Sequence, residues 1–85
     1  MLKFPKTVMQ STVDDEMVLM DTAHGEYYGL NKTGTVLLDT LLETQSTAAA
    51  IAKVVELFDA PEEVITGDLE QLVADLLKRK LLEER

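Results

Sequence analysis

The chain has 85 residues, no cysteine and a single histidine, and its 16 acidic against 8 basic side chains leave a net charge of −8. Without cysteine there is no disulfide, no thiolate nucleophile and no Cys-based metal site. An acidic chain also repels a phosphate backbone, which proteins bind by letting Lys and Arg displace counterions. Such a length fits one domain, residues 1–85, with a core of modest size. The opening MLKFPKTV lacks the apolar run of a signal peptide. No stretch approaches the ~20 apolar residues of a membrane span. A soluble, cytoplasmic protein is expected.

In chain order, residues 7–12 (TVMQST) and 17–22 (MVLMDT) are short runs rich in β-branched and apolar side chains. They read as strands joined through the acidic Asp14-Asp15-Glu16. Three adjacent acids are taken as a solvated turn in preference to a cation site. Gly25 marks a second turn, and Tyr27 to Leu30 makes a third strand, completing an antiparallel meander. His24 falls in that turn with no Cys or second His beside it, which argues for a turn residue over a metal ligand. Met9, Met17 and Met20 lie among the strands and are expected to fill gaps in the core.

After Leu30 the apolar spacing becomes helical. Asn31 suits an N-cap, since its side-chain oxygen can accept a first-turn N–H. Val36, Leu37, Leu38, Leu41 and Leu42 form the apolar face of a first helix, and Gly34 implies close packing there. Ser46 or Thr47 can cap a second helix whose face is Ile51, Val54, Val55 and Phe58. The segment DAPEE predicts a third helix with Asp59 as N-cap, Pro61 in the first turn and Glu62 in a capping-box position, running to about Lys80. Lys78, Arg79 and Lys80 then sit at its negative end, where the dipole favours cations. The resulting order, βββααα, predicts an α+β fold of winged helix-turn-helix type with the sheet first.

Two features do not fit a simple core. On the third helix Ile65, Leu69, Leu72, Val73 and Leu76 form one stripe, and Val64 and Leu77 widen it beyond what a single packing surface needs. The C-terminal LLEER folding back, or a second copy, could cover the excess. The third strand is also an edge. Tyr28 and Leu30 share the face that leads into the first helix, leaving Tyr27 towards solvent beside Gly29. Glycine weakens a strand unless something approaches closely, and an edge carries unpaired N–H and C=O groups. An open edge beside a wide apolar helix makes a groove for an added peptide strand. The alternative is an ordinary core strand with Gly29 as a bulge.

The segment VLMDTAHGEYYGLNKTGTVLLDTLL, residues 18–42, resembles the PqqD-like family, also described as RiPP precursor recognition elements. Residues 48–82 continue the resemblance, with an Ile/Leu-rich second helix, an acidic turn and a long third helix with a Leu-rich tail. Within the family the pattern Asp21, Gly25, Tyr27, Leu30, Asn31, Gly34 is most similar to the stand-alone leader-binding proteins of lasso-peptide pathways. The resemblance implies a non-catalytic adaptor without a cofactor. It would bind the leader of a ribosomally made precursor and present it to enzymes such as a leader peptidase and a cyclase. The leader would lie along Glu26, Tyr27, Tyr28, Gly29 and Leu30. The helical side would come from Asp68, Leu69, Leu72, Val73, Asp75 and Leu76, with groove and core members of that set left open. The acidic surface would suit leader residues bearing Lys or Arg.

Three alternatives stand beside it. The same role in pyrroloquinoline quinone or another radical-enzyme pathway is one, although members of the quinone pathway usually carry a Pro-Glu-like segment where this chain has DTAHGEYY. A winged-helix DNA regulator shares the architecture but needs a basic recognition helix, and the second helix offers only Lys53. A homo-oligomer, such as a dimer, could pair through the free strand edge. With one His, no Cys and no paired carboxylates or phosphate-binding glycine loop, the chain offers little to acid–base catalysis.

Overall fold

A computed structural model describes residues 1–85. The element order is β1 (Leu2–Lys3), β2 (Val8–Val13), β3 (Glu16–Asp21), β4 (Glu26–Gly29), α1 (Lys32–Thr44), α2 (Thr47–Phe58), α3 (Glu62–Lys78) and β5 (Glu83–Glu84). The central sheet is the expected antiparallel meander, in the order β2-β3-β4, followed by three helices. No helix is long and apolar enough to cross a membrane.

The turns of the sheet follow from local chemistry. Asp14 and Asp15 both have positive φ, 52° and 64°, as a two-residue type I′ hairpin requires. Between β3 and β4 the buried Asp21 carboxylate organises the turn. Its Oδ1 accepts the N–H of Ala23 and His24, and its Oδ2 lies 2.7 Å from His24 Nδ1. Met17 and Leu19 point inward and are closed off from solvent. Of the methionines expected in the core, Met20 is half-buried and Met9 is 58% exposed, on the outer face of the sheet.

Chain entry into α1 is abrupt. Leu30 N donates to Met17 O, and Asn31 caps the helix by accepting from Gly34 N at 2.8 Å. The buried Thr35 hydroxyl joins the two layers: it accepts from Met17 N and donates to Asn31 O. A Cβ on Gly34 would come within 3.3 Å of both Leu30 Cδ2 and Asn31 Oδ1, so the close approach expected there is made by the residue that follows β4 and by the cap itself.

Ser46 caps α2, accepting from Ala49 N. Its buried residues are Ala50 and Val54, while Phe58 is 40% exposed. The packed face is therefore rotated towards Ala50, whose small side chain lets α2 sit close to its neighbours.

The start of α3 differs from expectation. Asp59 does not cap it; it ends α2 in the left-handed conformation, φ 50° and ψ 44°. Pro61 immediately precedes α3, and no side chain caps the helix. A residue before proline is held extended, which moves Asp59 away from the new helix's amides. Glu62 and Glu63 still occupy the first turn, where the dipole favours them.

The helix also ends earlier, at Lys78. Leu81 N donates to Leu76 O and Lys80 N to Leu77 O, with Lys80 at φ 60°. This is a Schellman motif with lysine where glycine is commonest. It drives Leu81 and Leu82 into the core below the sheet, with Leu76, Leu38 and Leu30. The C-terminal segment thus folds back, one of the two coverings considered for the wide stripe, yet it leaves Val64 and Leu77 exposed. Glu83 and Glu84 then pair with Leu2 and Lys3, a small ribbon that short-range patterns do not predict. The Gln45 side chain fixes its other side, accepting from Leu2 N and donating to Leu2 O. A second cluster, around Leu37, Leu41, Val54, Ile65 and Leu69, binds the three helices together.

Two outcomes follow. Leu76 is fully buried, so Leu76→Ala leaves a cavity and is expected to cost ~2–5 kcal/mol in urea unfolding. The Asp21 carboxyl is held below the ordinary aspartate range, first by the His24 side chain and then by the turn amides, with burial opposing. A depressed carboxyl contributes stability above that range and loses it as pH falls through its folded value. Melting temperature should therefore drop on acidification, and Asp21→Ala should make that drop shallower.

Candidate functional site

Antiparallel pairing leaves β4 half satisfied. Its register sets Leu19 opposite Tyr28 and Asp21 opposite Glu26, in phase with the Leu30 N to Met17 O bond. Hydrogen-bonded pairs alternate along such a ladder, so Glu26, Tyr28 and Leu30 direct their amides to β3. Tyr27 and Gly29 direct theirs outward, along an edge that no strand of the chain covers.

Beside that edge runs an open groove of about 360 Å³. Tyr28, Gly29 and Leu30 form its strand wall. Asp68, Gln71, Leu72 and Asp75 form its helical wall. Asn31, Thr33, Gly34 and Leu37, from the start of α1, complete it. Six of the eleven residues expected at a site therefore come together. The side chains of the other five go elsewhere. Leu69 and Leu76 are buried in the core. Val73 lines a separate apolar cavity of about 400 Å³ on the far side of α3, with Leu2, Leu41, Ile51 and Leu77. Tyr27 is 69% exposed and projects from the outer face of the sheet. Glu26 is exposed at the start of the strand, outside the groove. Gln71 lies three residues after Asp68 and four before Asp75, so helical spacing alone could have found it.

One polar tie spans the groove. Tyr28 Oη donates to Asp75 Oδ2 at 2.8 Å, and Arg79 Nε donates to Asp75 Oδ1 at 3.1 Å. The Arg79 guanidinium also sits 5.3 Å from the Tyr28 ring centroid, within cation–π range. Hydrogen bonds from Tyr28 and then Arg79 hold the Asp75 carboxyl below the usual carboxylate range. Burial, and then the bond to Asp75, push the Tyr28 phenol up. The tie accounts for Arg79, the middle residue of the basic cluster, as part of the groove's frame. No three His, Cys, Asp or Glu side chains converge to hold a metal ion.

The family model described as "Coenzyme PQQ synthesis protein D (PqqD)" matches residues 16–82. Two solved structures share the fold. One is described as "TbiB1 in Complex with the TbiA(beta) Leader Peptide"; it is 24% identical, with a TM-score of 0.83 over 98% of this chain and 96% of that one. The other, "Lasso peptide synthetase B1 complexed with the leader peptide", is 23% identical, with a TM-score of 0.86 over 98% of each chain. No curated protein matches the chain in sequence.

The Tyr28–Asp75 tie can be tested by ultraviolet titration. The chain has two tyrosines and no tryptophan, so a Tyr27→Phe background reports Tyr28 alone. That phenol should ionise above the ordinary tyrosine range and move back down when Asp75→Asn is added. An unmoved titration would show that Asp75 does not act on it.

Proposed function

The chain belongs to the PqqD family, and on that footing we propose that it is a non-catalytic adaptor for the leader segment of a ribosomally made precursor peptide, of the lasso type. It acts in the cytoplasm and presents the bound precursor to processing enzymes such as a leader peptidase and a cyclase. The observation that carries this reading is the outward-facing main chain of Tyr27 and Gly29 beside the groove. A leader joining there becomes a fourth strand: main-chain bonds supply affinity, and alternate side chains enter the groove. The two leader-bound proteins of the same fold support it. The family's description favours a second reading, the same leader-binding role in quinone-cofactor synthesis, which uses the same groove.

Binding and folding separate cleanly at Gly29. Its N–H faces away from β3, and a Cβ placed on it meets nothing within 4 Å. Proline there removes an outward donor without breaking the ladder, as edge strands tolerate. The measurement is fluorescence anisotropy with a labelled leader from a small reading frame encoded beside this protein, and a scrambled leader as control. The wild type and Gly29→Ala should bind the intact leader saturably. Gly29→Pro and Leu72→Ala should lose tenfold or more, as expected when ~1.4 kcal/mol of contact is removed, while remaining folded and monomeric. Equal binding by Gly29→Pro would place the peptide elsewhere. No binding by the wild type would shift the choice to self-association through the strand edge.

A further inference from the structure

Asp68, Leu72, Asp75 and Arg79 follow one another at intervals of four, three and four residues, a single stripe of α3. Its two carboxylates are not equivalent. Asp75 is engaged on both oxygens, by Tyr28 and Arg79. Asp68 is exposed and takes part in none of the four ion pairs of the protein. No Lys or Arg lines the groove. A strand laid along β4 therefore meets one neutralised acid, one half-buried leucine and one free carboxylate. Leu72 and Asp68 are one turn apart, about 6 Å along the helix axis. Same-face side chains of a strand repeat every two residues, about 6.6–6.8 Å. The two repeats are close in length, so consecutive inward side chains of a strand running alongside α3 reach both.

We infer that the groove selects a peptide strand carrying an apolar residue and, two positions away, a Lys or Arg, the apolar side chain packing on Leu72 and the cation pairing with Asp68. The inference rests on the leader-binding reading and adds a specificity rule to it. A foreign peptide is favoured as the occupant, because β2, β3 and β4 of a second copy contain no Lys or Arg and β1, which carries Lys3, is already paired with β5. The residue between the two inward positions faces away with Tyr27 and is left unconstrained.

The test is a phage-displayed library of random linear peptides panned in parallel on the wild-type chain, Asp68→Asn and Asp68→Lys. The wild type should enrich the apolar-x-Lys/Arg pattern. Asp68→Asn should keep the apolar position and lose the basic one. Asp68→Lys should enrich Asp or Glu in its place. For a synthesised hit, replacing the cation with Gln should weaken binding to the wild type by about two- to fivefold, the range for an exposed ion pair. That difference should vanish on Asp68→Asn and shrink in high salt. Identical enrichment on all three proteins, with hits still sensitive to Gly29→Pro and Leu72→Ala, overturns the specificity rule and leaves the groove standing. Hits indifferent to Gly29→Pro and Leu72→Ala, or no enrichment at all, overturn the groove as well.

Discussion

The open edge exists because the chain turns from strand to helix within two residues. Leu30 closes the β3–β4 ladder and Asn31 immediately caps α1. The buried Thr35 hydroxyl fastens the junction to Met17. Once helix begins there, the chain supplies no further strand to the β4 edge; what comes back beside it is the side-chain wall of α3. A buried hydroxyl left unpaired would cost ~1–3 kcal/mol, and Thr35 is paired on both sides. The position of α1, and with it one wall of the groove, is therefore set by polar geometry as well as by apolar packing.

The breadth of the apolar stripe on α3 resolves into three surfaces. At about 100° per residue, Ile65, Leu69 and Leu76 cluster around one direction, and all three are buried. Leu72 lies to one side of them, above the groove with Asp68 and Asp75. Val73 and Leu77 lie to the other side, in the second cavity. A helix that packs through its centre and offers a shoulder on each flank needs more apolar surface than a core helix of the same length. That is why the stripe looked too wide for one task.

What was legible in the residues was local. Short runs rich in β-branched and apolar residues located the three strands, Asn31 and the Ser46-Thr47 pair announced their helices, and alternation placed Tyr28 and Leu30 inward and Tyr27 outward. What was illegible depended on contacts between distant segments or on a conformation that residue type leaves open. The β1–β5 ribbon joins the two ends of the chain through two-residue strands too short to leave a periodic signature. Asp59 carries the side chain of an N-cap, yet aspartate also tolerates the left-handed conformation, and Pro61 decides between the two. Lys80 adopts that conformation as well, because seating Leu81 and Leu82 in the core offsets a backbone strain of ~1 kcal/mol or more. The same limit applied to α3: spacing identified its apolar residues, but which faced core or groove depended on where the sheet lay.

Charge bears on whether the open edge pairs with another copy. A free strand invites pairing with another copy, and natural proteins guard such edges by shortness and charge. Strand β4 is four residues long and begins with Glu26. The net charge of −8 makes two copies repel before their edges meet, an effect that weakens with salt. A neutral or basic peptide feels no such barrier. On the proposed reading, the acidic composition that disfavours a phosphate backbone also disfavours the chain's own copies at the edge, whereas a peptide whose cation can reach Asp68 meets no such repulsion.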